Sequence, residues 1–158
     1  MKIAVINGAN LNFVGIREPH IYGMDTLPEI NKQIEAEAKE IAEINLVNLD
    51  LTFFQSNIEG EIINFIQKCQ LDMFDGVIIN PGAFAHYSYA IRDAVASIAP
   101  PCIEVHMSNP SAREEFRRNS VVTPACIGQV SGFRSHGYVM AIYALIKIKL
   151  SALGHGGI

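Results

Sequence analysis

Apolar residues along this chain follow two alternating rhythms. Short runs rich in β-branched and aromatic residues, KIAVIN (2–7), NLVNLDLTFFQ (45–55), GVIIN (76–80), CIEVH (102–106) and CIGQVSGF (126–133), predict five strands. The third is apolar almost without interruption, as expected of a strand covered on both faces, and it implies a parallel sheet. Between the runs the period lengthens to that of a helix. Leu27, Ile30, Ile34, Ala38 and Ile41 form one stripe behind a Thr26-x-x-Glu29 capping box. Ser56-x-x-Glu59 predicts a second helix start, ahead of Ile62, Ile66, Cys69 and Met73. Ile91, Ala94, Val95 and Ile98 mark a third helix, Ser111-x-x-Glu114 opens a shorter one, and residues 135–153 predict the last.

Strands that alternate with helices over 158 residues fit one α/β domain, residues 1–158, with a flavodoxin-like doubly wound sheet of five parallel strands in the order 2-1-3-4-5. Such sheets bind ligands beyond the carboxyl ends of their strands, at the switch point of the strand order. Polar residues collect there. Asn7, Asn10 and Asn12 follow the first strand; Asn80-Pro81-Gly82 and His86 follow the third; Glu104 and His106 end the fourth, ahead of Ser108 and Asn109. Residues 12–24 hold two glycines and a proline without a helical period, and read as a lid loop that carries Arg17 and Tyr22. Residues 154–158 read as a loose tail.

Composition narrows the function. With 49% hydrophobic and 18% charged residues the chain is a folded protein, and a net charge of −4 leaves no basic face for nucleic acid or a membrane surface. Cys69, Cys102 and Cys126 are odd in number and lack C-x-x-C spacing, which suits free, buried thiols in the cytoplasm. The segment MKIAVI has no cleavable leader pattern, and YVMAIYALIKIKL is interrupted by Lys147 and Lys149, short of a bilayer span.

Alternation along the fourth strand puts Glu104 and His106 on one face, with Cα atoms ~6.6 Å apart. A carboxylate there would fix the tautomer of the imidazole and favour its cationic form, giving a general acid; a structural ion pair, or part of a metal site with His86, is the other reading of the same spacing. Arg113 and Arg117, at i and i+4, and the backbone amides of Met107 and Ser108 suit a carboxylate anion, although a solvated surface helix has the same pattern. Tyr22 would need its ordinary pKa of about 10 lowered by cations such as Arg17 and Arg113, each worth ~1–3 units, to serve as a base. A flavin- or phosphate-binding module is the alternative from another class. Against it, the first loop lacks a Ser/Thr-rich phosphate cradle, and asparagines stand where a phosphoacceptor domain needs acidic metal ligands.

The blocks INGANLN, REPHIYG, FFQSNIEGEII, INPGAFAH, AIRDA, IEVHMSN and AREEFR resemble, in order and spacing, those of the type II 3-dehydroquinate dehydratases of the shikimate pathway, over residues 1 to 150. The resemblance implies a lyase of aromatic amino-acid biosynthesis that needs neither cofactor nor metal. It would eliminate water in trans fashion from 3-dehydroquinate through an enolate, yielding 3-dehydroshikimate. It implies Tyr22 as the base at C2, with Arg17 and Arg113 supplying positive charge. Asn10 would hold the water at the enolate oxygen, and His106, oriented by Glu104, would protonate the departing C1 hydroxyl. Substrate contacts would come from Asn80, His86, Arg117 and the Met107 and Ser108 amides, the last two elements taking the ring carboxylate. Asp93 would reach into a neighbouring subunit's site in a homo-oligomer, a dodecamer built from trimers. Ala9, Ala85, Tyr87 and Ser111 depart from the residues usual in that family.

Overall fold

The computed structural model describes residues 1–16 and 23–154. Five strands, β1 (Lys2–Asn7), β2 (Asp50–Gln55), β3 (Gly76–Asn80), β4 (Cys102–His106) and β5 (Gly128–Ser131), form one sheet. Its order is β2-β1-β3-β4-β5 and all four pairings are parallel, as the alternating pattern predicts. Among the described residues four helices cover it: α1 (Leu27–Ile44), α2 (Glu59–Leu71), α3 (Tyr89–Ala96) and α4 (His136–Gly154).

The pleat divides the apolar residues between two cores. Ile3 and Val5 of β1, Ile78 of β3 and Ile103 and Val105 of β4 pack with α1 and α4, while Ala4, Ile6, Val77, Ile79 and Cys102 pack with α2 and α3. Glu104 and His106 share the parity of Cys102, so they turn toward the second core. Helix α1 opens as expected: the Glu29 carboxylate accepts both the Thr26 amide (2.8 Å) and hydroxyl (2.6 Å). Its buried stripe ends in Ala42, with Ile41 only half-buried. By length and composition alone α4 would suit a membrane span, but Tyr138, Ala141, Ile142, Leu145 and Ile146 form its contact with the sheet.

Several boundaries differ from the expectation. β2 starts at Asp50 rather than 45, because Leu46 (φ 56°) terminates α1 in a turn, in which the Val47 amide reaches back to Ala42. β5 is confined to 128–131. The box at Ser56 and Glu59 does not form: Ser56 Oγ takes the Ile58 amide (2.9 Å) and donates to Glu61 (2.5 Å), while Glu59 accepts Ser88 Oγ (2.6 Å). Met73 lies past the end of α2 at φ 54°, exposed, and Phe74 takes its place in the core. The lid expected from residue 12 begins with a 3-10 turn, Leu11–Phe13, followed by buried Val14. All three cysteines are free, and burial, with Asp72 beside it, pushes the Cys69 thiol up to about 11.

Candidate active site

β1 and β3 end on paired residues, Asn7 opposite Asn80, at the point where strand order reverses. Their loops are locked together. The Gly8 amide donates to the Asn80 carbonyl (2.7 Å), and a side chain at residue 8 would place Cβ 2.2 Å from the Pro81 oxygen, so only glycine fits. Asn10, two residues on, lies in the left-handed region (φ 67°). The Asn10 amide is held by Asn57 Oδ1 (2.8 Å), which also accepts Gln55 Nε2 (3.1 Å).

Beyond these ends lies a cavity of about 170 Å³. The first loop contributes Asn10, the end of β3 and its loop Asn80 and His86, and the end of β4 with the segment after it His106, Met107, Ser108, Arg113 and Arg117. Of the residues singled out in the sequence, Glu104 stands behind this wall and Asp93 lies exposed on α3 outside it. Arg17 and Tyr22 lie outside the described residues.

His106 and Glu104 form the pair that strand alternation predicts. Glu104 is fully buried, and its Oε1 lies 2.5 Å from His106 Nε2. A ring nitrogen engaged by a carboxylate carries the proton of that contact, which leaves Nδ1 for a ligand. Glu104 Oε2 accepts a hydrogen bond from Ser120 Oγ (3.0 Å). The His86 ring lies nearly parallel to that of His106, with centroids 6.4 Å apart, and edge-on to Phe116. Its Nδ1 donates to the Asn119 carbonyl (2.9 Å), so a neutral His86 presents Nε2 as an acceptor.

The cationic side of the cavity departs from the expected helix. Asn109 Oδ1 accepts the Ser111 amide (3.1 Å) and starts a single 3-10 turn, Pro110–Ala112. Arg113 is then extended (φ −116°, ψ −163°), and a second 3-10 turn, Glu115–Arg118, follows. Glu114 binds Arg117 Nε at 2.7 Å across an i, i+3 spacing, which suits this tighter winding better than an α-helix. Both guanidinium groups nevertheless line the cavity, with side chains 9% and 19% exposed. The Arg117 hydrogen bond pulls the Glu114 carboxyl down to about 2. Two arginines and two imidazoles at one cavity suit an anion that also carries hydroxyl groups.

Asn80 lines the cavity, as expected of a substrate contact, and its side chain is also fixed by the protein. Its Nδ2 donates to the Tyr138 hydroxyl (2.8 Å) and its Oδ1 accepts the Gly82 amide (3.2 Å), so both ends of the side chain bind protein. Tyr138, Gln55, Asn57, Asn119 and Ser120 were not singled out in the sequence. The register of β1 on β2, which sets Asn7 beside Gln55, is the one signal that could have indicated one of them, Gln55. Among the described residues no three His, Cys, Asp or Glu side chains converge closely enough to hold a metal ion, so a metal site built on His86, Glu104 and His106 finds no ligand set.

The chain is similar to known proteins over nearly its whole length. Residues 1–146 match the family described as dehydroquinase class II. The 3-dehydroquinate dehydratase of Clostridium perfringens strain SM101 is 54% identical over 147 residues, 93% of this chain and 97% of that protein. That of Caldicellulosiruptor saccharolyticus is 55% identical over 147 residues, again 93% and 97%. The type II dehydroquinase of Butyrivibrio crossotus superposes with a TM-score of 0.85 at 49% identity, covering 92% of this chain and 97% of that one. That of Propionibacterium acnes gives a TM-score of 0.83 at 36% identity, covering 92% and 96%. With a switch-point cavity that joins a carboxylate-paired histidine to two arginines, and with this similarity along the chain, the protein belongs to the class II dehydroquinase family.

Proposed function

We propose that this chain eliminates water from 3-dehydroquinate to give 3-dehydroshikimate, and that its own side chains perform every proton transfer. Membership of the family displaces the reading as a flavin- or phosphate-binding module. Tyr22 takes the C2 proton as a phenolate stabilised by Arg17 and Arg113. The C–H electron pair moves into the C3 carbonyl as an enolate, whose oxygen is met by a water held on Asn10. Return of that pair expels the C1 hydroxyl, which His106 protonates from the nitrogen facing the ligand, so that water leaves. Arg117 and the Met107 and Ser108 amides take the ring carboxylate, and His86 accepts from a ring hydroxyl. Asn80 is a further substrate contact, a reading supported by its place in the cavity wall and by the amide hydrogen and lone pair that Tyr138 and Gly82 leave unused. The observation that carries this reading is the buried Glu104–His106 contact of 2.5 Å at the edge of a cavity that also holds Arg113 and Arg117.

Residues 12–24 would close as a lid in a single catalytic domain. Asp93 would complete the site of a neighbouring subunit in a dodecamer of trimers, a reading supported by its exposure on α3, outside the cavity of its own subunit. We place the enzyme in the cytoplasm, which suits its three free cysteines. Sedimentation of the purified chain tests the assembly.

Added 3-dehydroquinate should give the ultraviolet absorbance of a conjugated enone. Tyr22→Phe and Arg17→Ala should be folded yet nearly silent. No absorbance change with the wild type would overturn the reaction; full activity in Tyr22→Phe would overturn the assigned base.

A further inference from the structure

The two imidazoles of the cavity are both anchored to one short segment, 119–123. The carbonyl of Asn119 accepts His86 Nδ1 at 2.9 Å, and the hydroxyl of the next residue, Ser120, lies 3.0 Å from Glu104 Oε2. The segment is fixed from below by Val121 and Val122, which are buried in the core under α2 and α3. The Val121 amide also donates to the Ala85 carbonyl at 2.7 Å, one residue before His86.

A serine hydroxyl has one proton and two lone pairs. The amides of Val122 and Thr123 both donate to Ser120 Oγ, each at 3.1 Å, and occupy the lone pairs. The proton then has two acceptors within reach, Glu104 Oε2 at 3.0 Å and the Ala85 carbonyl at 3.3 Å. The carbonyl already accepts the Val121 amide, and Glu104 is nearer. Ser120 is therefore a donor of fixed direction. It cannot accept a proton from Glu104, so Oε2 is confined to accepting and Oε1 is turned to His106 Nε2.

We propose that Ser120 is a positioning residue for the dehydration, acting through Glu104 to hold His106 in one orientation and one tautomer. This rests on the reading of His106 as the acid that protonates the leaving hydroxyl. A buried carboxylate held at only one oxygen would be free to rotate, and the imidazole would lose its fixed partner. The effect falls on the chemical step, because Ser120 is absent from the wall of the substrate cavity.

The test compares wild type, Ser120→Ala, Ser120→Thr, Glu104→Ala and the Ser120→Ala/Glu104→Ala double variant, each with a thermal melt to confirm folding. Ser120→Ala should lower kcat roughly 10- to 100-fold, the cost of one hydrogen bond to a charged group, with KM within about twofold. Ser120→Thr, which keeps the hydroxyl, should recover most of that loss. In the Glu104→Ala background Ser120→Ala should cost nothing further, whereas a serine that merely caps the Val122 and Thr123 amides would cost as much in either background. The imidazole 15N shifts of His106, read at a pH where the ring is neutral, test the inference without turnover: wild type and Ser120→Thr should show protonated Nε2 and bare Nδ1, and Ser120→Ala an average of tautomers. An unchanged kcat or an unmoved His106 signal in Ser120→Ala overturns the proposal. Failure of wild type to convert 3-dehydroquinate overturns the reaction instead, and leaves the 15N result to decide on Ser120.

Discussion

The hydroxyl of Tyr138 on α4 donates to Asn7 Oδ1 at the end of β1, 2.7 Å away and 131 residues distant in sequence. The Tyr138 hydroxyl oxygen in turn accepts Asn80 Nδ2 at 2.8 Å, so one phenol joins the two strand ends at the switch point. Tyr138 is fully buried, and burial raises its ionisation beyond any ordinary working pH, which keeps it a donor. Tyr138→Phe would leave two buried amides short of a partner. The expected loss is about 2 kcal/mol, or a melting temperature lower by roughly 4–8 °C. A melt indistinguishable from wild type would show that the bridge contributes nothing net.

The bridge also marks what could be read from the chain beforehand. β1, β3 and β4 are legible because their apolar runs are continuous and end in polar residues, and an i, i+2 spacing suffices to bring Glu104 and His106 together. Tyr138 gives no such signal: within an apolar helix it resembles any core residue, and its partner lies in another element. Ser120 and Asn57 are equally silent, being small polar residues whose roles arise only when distant loops meet. The arginine segment misleads for a different reason. Ser-x-x-Glu is a sound helix-start signal, yet the turn begun by Asn109 is already complete at Ala112, and Arg113 extends into the cavity wall.

Arg117 is expected to act on binding more than on chemistry. Its Nε is held by Glu114, which stays charged down to about pH 2, so the guanidinium is oriented throughout any practical assay range. A carboxylate contact made equally in ground and transition states raises KM when lost and spares kcat. Arg117→Ala should therefore raise KM for 3-dehydroquinate roughly tenfold or more, about 1.4 kcal/mol, with kcat within about threefold. Arg117→Lys should recover only part, because an ammonium does not reproduce the fork. A fall in kcat at constant KM would move Arg117 into the chemical step.

Gly8 gives a packing prediction. An added Cβ would sit 2.2 Å from the Pro81 oxygen and 2.6 Å from its carbonyl carbon, both backbone atoms that cannot rotate away. Gly8→Ala must therefore part the loops that carry Asn10 and Asn80. More than about 2 kcal/mol of stability should be lost, together with most activity. Gly60, at the second position of α2, has nothing within 4 Å of its would-be Cβ, so Gly60→Ala should be neutral or stabilise by up to about 1 kcal/mol. Denaturant unfolding of the two variants separates the cases, and a stable Gly8→Ala would contradict the rigid apposition.

Asp75 ties the start of the sheet to the last helix. Its Oδ2 accepts the Lys2 amide at 2.7 Å and its Oδ1 pairs with the ammonium of Lys149 on α4. Partial burial alone would raise its pKa, but the Lys149 hydrogen bond and the Lys2 amide outweigh burial and hold the carboxyl below its ordinary value of 3.8. A carboxyl with a depressed native pKa contributes stability that is fully present above the unfolded value and is lost as pH falls through the native one. Asp75→Asn should cost about 1 kcal/mol at pH 7, and its difference from wild type should shrink steadily below pH ~4 as the wild-type carboxyl takes up its proton. Lys149→Met should show the same pH dependence, since it removes the other half of the pair. Urea midpoints at pH 7 and pH 3 measure both, and a difference that persists undiminished at pH 3 would show that Asp75 acts by packing rather than by charge.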